Sequence, residues 1–138
     1  MMKQEDTAVC HILCVEDDVD SCEMIKMLLT LSDEAYHVTG VHHASDAMEL
    51  IAAQPFDLYV LDMWLPEIDG VELCRWIRKI DSQTPIIFFS AVSKPSDQQA
   101  AIDAGANAFL IKPNDLDQLE PTIERILTKN YTSEKCEV

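Results

Sequence analysis

No apolar stretch in the 138-residue chain approaches the ~20 residues that a membrane-spanning helix requires. Its start, Met1 to Thr7, lacks the apolar core of a secretory signal, so cytoplasmic residence is the default expectation. Cysteine is too scattered to build a framework. Cys10, Cys14, Cys22, Cys74 and Cys136 are odd in number and show no Cys-x-x-Cys or Cys/His spacing. Neither a disulfide scaffold nor a zinc site is therefore indicated. Positive charge is also scarce, with 10 Lys and Arg against 25 Asp and Glu and a net charge of −15. Phosphate contacts need clustered Lys and Arg, which excludes nucleic acid as a partner, and no membrane contact is expected. Internal repeats, low-complexity segments and an interdomain linker are missing too, and the length suits one domain. The histidines add no chemistry to this reading. His42 and His43 are adjacent and on a strand would point to opposite faces, so no shared metal is expected, while His11 and His37 flank apolar runs without an evident partner.

What the chain does have is four apolar runs, each ending on a residue able to handle a phosphoryl group. Ile12-Leu13-Cys14-Val15 leads into Glu16-Asp17-Asp18, and Leu58-Tyr59-Val60-Leu61 leads into Asp62. Ile86-Ile87-Phe88-Phe89 leads into Ser90, and Phe109-Leu110-Ile111 leads into Lys112-Pro113. Short apolar runs bounded by turn residues read as strands buried on both faces. In an open parallel sheet the ligand crevice lies beyond the carboxyl ends of the strands. Neighbouring parallel strands would then bring acids, a hydroxyl and an ammonium to one edge.

Helix signals alternate with these strands. Asp18 or Asp20 caps a helix running to about Ser32, with Cys22, Ile25, Leu28 and Leu29 on one face. Tyr36 to Val41 is a second strand, and Ala44 to Ala53 a short helix with Ser45 as candidate cap and Pro55 beyond its end. Pro66 to Gly70 makes a loop, followed by a helix from Val71 to about Ile80. A further helix from about Ser96 to Ala104 stops at Gly105, and Ala108 to Ile111 is the last strand. The final helix is expected over about Asp115 to Lys129, with Pro121 inside it as a source of a kink or a tight first turn. This pattern predicts an α/β fold, a doubly wound five-stranded parallel sheet of order 2-1-3-4-5 with helices on both faces. In that flavodoxin-like three-layer sandwich, strands one and three lie side by side, which sets Glu16-Asp17 beside Asp62. Residues 1–10 are expected to form an N-terminal extension, 11–128 the domain, and 129–138 a frayed polar tail.

Three carboxylates in one crevice repel one another and call for a cation. All-oxygen ligands of high charge suit Mg²⁺, with Mn²⁺ an alternative, held by Asp62, Asp17 and Glu16 through water. Ser90 offers a hydroxyl donor and Lys112 a fixed positive charge. An Asp carboxylate can itself accept a phosphoryl group as an acyl phosphate. Each terminates a buried run, where charge is costly without a purpose.

These segments resemble the receiver domains of two-component response regulators. The resemblance runs from about His11 to Leu127 and rests on residues 12–18, 61–70, 84–91 and 105–113. It implies that Asp62 is the phosphoacceptor and that Glu16, Asp17 and the backbone carbonyl of Trp64 join it in holding Mg²⁺. It implies that Ser90 is the switch hydroxyl, Lys112 the ion-pairing lysine and Phe109 the aromatic switch residue, with a cis Lys112-Pro113 bond. A histidine kinase or phosphotransfer protein would donate the phosphoryl group. A protein partner would then read the face of the fourth helix, fifth strand and last helix, with the chain a monomer or a phosphorylation-dependent dimer. In receivers the residues two beyond the acceptor and two beyond the switch hydroxyl commonly orient the hydrolytic water. At those places stand Trp64 and Val92, implying slow self-dephosphorylation after self-phosphorylation from small donors.

Two other functions share parts of this pattern. A haloacid-dehalogenase-like phosphatase would use Asp62 as a turnover nucleophile, but needs a second acid where Trp64 stands. A flavodoxin-like cofactor binder needs a hydroxyl- and glycine-rich phosphate loop after strand one, where Glu16-Asp17-Asp18 would repel phosphate. No output domain follows in the sequence, so the expectation is a stand-alone regulator or a receiver excised from a longer protein. The expected function is a phosphorylation switch and not a turnover enzyme.

Overall fold

Leu58 to Leu61 and Ile86 to Phe89 are almost wholly removed from solvent, as strands covered on both faces must be. In the computed structural model, which describes residues 9–91 and 94–137 (side chains to 128), the first strand β1 is Cys10–Val15. The helix α1 is Val19–Ser32, β2 is Tyr36–Val41, α2 is Ala44–Ala53 and β3 is Leu58–Leu61. These are followed by α3 (Gly70–Ile80), β4 (Ile86–Ser90), α4 (Pro95–Ala104), β5 (Ala108–Ile111) and α5 (Leu116–Glu137). The five strands form one parallel sheet in the order β2-β1-β3-β4-β5, as the sequence predicts.

Side-chain alternation along each strand divides the interior into two layers. Leu13, Val15, Tyr59, Leu61 and Phe88 face α2, α3 and α4, where Ala47, Leu73, Ile77 and Ala101 meet them. Ile12, Cys14, Leu58, Val60, Ile87 and Phe89 face α1 and α5, packing on Ile25, Leu29, Leu119 and Ile123. Each helix therefore presents one apolar stripe to one face of the sheet.

Helix starts place the loops of the functional edge. Asp18 caps α1 by accepting from the Asp20 N–H at 3.1 Å, and Asp69 caps α3 by accepting from the Glu72 N–H at 2.9 Å. At α2 the sequence expectation fails: His43 holds the N-cap position without a side-chain bond. Ser45 lies inside the first turn, its N–H 3.4 Å from Glu67 Oε1. The cap pattern is ambiguous there because neighbouring residues could start the helix equally well.

Two glycines are required by geometry. A Cβ on Gly70 would come within 2.2 Å of the Asp62 carbonyl oxygen, so only glycine lets the start of α3 lie against the end of β3. Gly105 ends α4 at φ 118°, a left-handed conformation that glycine adopts without strain.

The last helix continues through Glu137 instead of ending near Lys129, so the tail expected to fray is helical as far as that residue. After Lys129 no glycine or proline interrupts the chain, which removes the local stop signals a helix end uses. Pro121 lies in the second turn, where its missing N–H leaves one intrahelical acceptor without its usual donor. Among the described residues no helix is long and apolar enough to cross a membrane.

Candidate acidic site at the carboxyl edge of the sheet

The ends of β1, β3, β4 and β5 deliver the site. Glu16 follows β1 and its N–H donates to the Val41 carbonyl at 3.0 Å, which continues the β1–β2 ladder by one residue. Asp62 follows β3 and is tied to β1 through its N–H on the Val15 carbonyl at 3.0 Å. Lys112 follows β5, with its N–H on the Ser90 carbonyl at 2.9 Å. Ordinary sheet pairing thus aims four functional side chains at one point.

Oxygens of Glu16, Asp17 and Asp62 all lie within 4.8 Å of one another, a group able to hold a metal ion. Their environments differ. Glu16 is 2% exposed and Asp62 7%, while Asp17 is open to solvent. One exposed and two buried carboxylates make an all-oxygen donor set that a hard divalent cation fits, with room on the solvent side for water or a phosphoryl oxygen.

Asp62 is surrounded by donors. Ser90 Oγ donates to its Oδ1 at 2.9 Å, and Lys112 Nζ stands 3.7 Å from its Oδ2. The Trp64 N–H reaches Oδ1 at 3.5 Å, a weak contact that folds the following loop over the carboxylate. The indole of Trp64 is 51% exposed, beside the crevice and not sealed into it.

Lys112 engages Glu16 Oε1 more closely than it engages Asp62. Glu16 Oε2 accepts from the Asp18 N–H at 3.0 Å, so both its oxygens are held by protein donors. Burial pushes the Glu16 carboxyl up to about 7, against the pull of Lys112 and the Asp18 N–H. Burial lowers the Lys112 ammonium, but its contacts with Glu16 and Asp62 outweigh this and hold it above its ordinary value. A cation added beside Glu16 favours its charged form and offsets its burial.

Phe109, on β5, stacks on Phe88 of β4 with centroids 5.7 Å apart and planes within 5°. It is half-buried, neither sealed in the core nor free in solvent. The Lys112-Pro113 bond is cis, as the resemblance implies.

Two contacts escape sequence reasoning. The Glu16–Lys112 pair spans 96 positions and depends on β5 reaching the same edge. His42 Nδ1 lies 2.9 Å from the Glu16 carbonyl oxygen, giving this histidine a partner. Its position just after β2, beside β1, is the only signal that could have found it. Val92 falls outside the described residues.

An Asp bonded by a hydroxyl, approached by an ammonium and set beside an acidic pair is an arrangement able to accept a phosphoryl group. The response regulator receiver domain family matches residues 12–124, and the chain belongs to this family of phosphorylation-dependent two-component switches. The response regulator ArlR of Staphylococcus epidermidis is 36% identical over 119 residues, covering 86% of this chain and 53% of that protein. The uncharacterised transcriptional regulatory protein YkoG of Bacillus subtilis is 35% identical over 122 residues, covering 88% and 53%. The chain thus spans about half the length of these curated relatives.

The solved receiver domain of a Luxo repressor protein from Vibrio parahaemolyticus superposes with a TM-score of 0.83 at 27% identity. The match covers 94% of this chain and 98% of that one. A two-component response regulator from Clostridium difficile gives 0.80 at 26% identity, covering 86% and 96%. The phosphatase and cofactor-binding alternatives gain no support from these matches.

Proposed function

We propose that Asp62 is the phosphoacceptor and that Mg²⁺, or Mn²⁺ in its place, is held by Asp17, Asp62 and Glu16 with the Trp64 backbone carbonyl. The observation that carries this reading is the convergence of Ser90 Oγ and Lys112 Nζ on the two oxygens of Asp62. A histidine kinase or histidine phosphotransfer protein supplies the phosphoryl group. An Asp62 oxygen forms the new P–O bond as the P–N bond to the donor imidazole breaks, and the imidazole departs with the bonding pair. The metal supplies charge neutralisation for the transferring group. Lys112 pairs with the added negative charge, which is close enough to draw it from Glu16 toward the phosphoryl oxygens.

Ser90 then turns its hydroxyl from the carboxylate to the phosphoryl group. The space it leaves lets Phe109 slide from its stack on Phe88, and the surface of α4, β5 and α5 changes for a downstream protein partner. The domain, read as residues 11–128, works in the cytoplasm as a monomer or a phosphorylation-dependent dimer, without contacting nucleic acid itself. It phosphorylates itself from small donors and loses the group slowly, because Trp64 narrows the approach of water.

Intact-mass measurement with acetyl phosphate tests this. One phosphoryl group added only when Mg²⁺ or Mn²⁺ is present supports the reading. Uptake that is indifferent to chelation, or a group stable to base, contradicts it.

A further inference from the structure

His11 and His37 are partners in the parallel pairing of β1 with β2, so both side chains leave the same face of the sheet. Their ring centroids are 5.3 Å apart with planes inclined at 60°. Both residues are exposed, so neither ring is there to fill the core. Among the described residues neither ring has a hydrogen-bond partner; His11 is tied to Asp57 through its backbone, its N–H donating to Asp57 Oδ2 at 2.8 Å and its carbonyl accepting from the Asp57 N–H at 2.7 Å. With Thr39, Gln54, Pro55 and Phe56 the two rings line a cavity of about 260 Å³.

Neutral imidazole suits divalent ions of the zinc kind better than it suits Mg²⁺. Two imidazoles on one tetrahedral Zn²⁺, with N–metal bonds of about 2.0–2.1 Å, place their ring centroids about 5 Å apart. The observed separation of 5.3 Å lies near this value. The Asp57 carboxylate, bonded to the His11 backbone N–H, adds negative charge next to His11. The cavity leaves space for water or an outside ligand at the remaining positions.

We propose that His11 and His37 form a two-histidine site for a zinc-like divalent ion, clamped across β1 and β2. It is separate from the acidic cluster in place and in chemistry. His11 and Glu16 are five residues apart along β1, roughly 16 Å at the rise of an extended strand. One site offers nitrogen, the other oxygen. An ion binding the folded pair and not the unfolded chain raises stability by mass action.

Calorimetric titration of Zn²⁺ into the full chain, in excess Mg²⁺ to fill the acidic cluster, tests the proposal. His11→Gln and His37→Gln should each weaken Zn²⁺ binding by about tenfold or more. Neither should shift the melting temperature measured without Zn²⁺, and Cys10→Ser should leave Zn²⁺ affinity unchanged. A second measurement needs no substitution: Zn²⁺ should protect both imidazoles from acylation by diethyl pyrocarbonate, mapped by mass spectrometry. Affinity indifferent to both histidine changes overturns the proposal. So does binding abolished by excess Mg²⁺ or by Cys10→Ser, or an absence of protection at either ring.

Discussion

Ser90 Oγ donates a 2.9 Å hydrogen bond to Asp62 Oδ1, with Ser90 fully buried and Asp62 nearly so. The hydroxyl proposed as the switch thus already touches the carboxylate proposed as the acceptor, and on that proposal phosphorylation would change the partner of an existing bond. Ser90→Ala removes that donor while Lys112 and the Trp64 N–H remain. The variant should fold with a stability loss of about 0.5–1.5 kcal/mol in urea melts. It should still accept a phosphoryl group, but the amide resonances of α4 and β5 should no longer respond. A full response in Ser90→Ala would remove the hydroxyl from the switch.

Lys112 has a second duty, since it neutralises a Glu16 that is almost fully buried. Lys112→Met leaves that carboxylate without its cation, a change that costs about 3–5 kcal/mol where a buried pair is broken. Denaturant unfolding at neutral pH should show a loss of this size, partly restored by Mg²⁺. A loss confined to phosphoryl uptake, with stability unchanged, would mean the pair contributes nothing to folding.

The metal prediction separates two neighbouring acids. Mg²⁺ should raise the melting temperature of the parent chain by mass action. Asp17→Ala should abolish most of that gain, because Asp17 is the exposed member of the carboxylate group. Asp20→Ala should keep it, because Asp20 contributes its backbone N–H to the Asp18 cap and lies outside the group. Equal effects from both changes would place the cation elsewhere.

The sequence makes the sheet legible because each buried run carries its own boundary, from Val15-Glu16 to Ile111-Lys112. Strand order follows from the βα alternation, and that order alone brings Glu16, Asp17, Asp62, Ser90 and Lys112 together. Pairings among these residues are less legible. Sequence offers Lys112 to the phosphoryl group, whereas in the structure the ammonium pairs with the buried Glu16, and no local pattern encodes a contact between the ends of β1 and β5. The cap of α2 and the reach of α5 are hard to read for the opposite reason: local signals around His43 and Ser45, and after Lys129, are weak. The facing of His11 and His37 depends on strand register, which spacing along the chain does not reveal.

Acid stability should report on the turn before β4. Burial raises the Asp81 carboxyl, but its bonds from Thr84 Oγ1 at 2.5 Å and from the Thr84 and Gln83 N–H groups at 3.0 Å outweigh this and hold it below its ordinary value. The unfolded chain therefore binds this proton more readily than the folded one. The stabilisation is present above the ordinary value of 3.8 and is lost as pH falls through the lower folded value. Thr84→Val should be less stable than the parent at pH 7, with the gap narrowing below about pH 4. A gap that is constant across this range would assign the effect to packing alone.

Assignment of the acceptor to Asp62 is tested most directly by comparing the parent and Asp62→Asn after incubation with acetyl phosphate and Mg²⁺. The parent should carry one phosphoryl group that hydroxylamine removes, and Asp62→Asn, which keeps the shape of the side chain but not its charge, should carry none. Labelling of Asp62→Asn to the same extent as the parent would contradict the assignment.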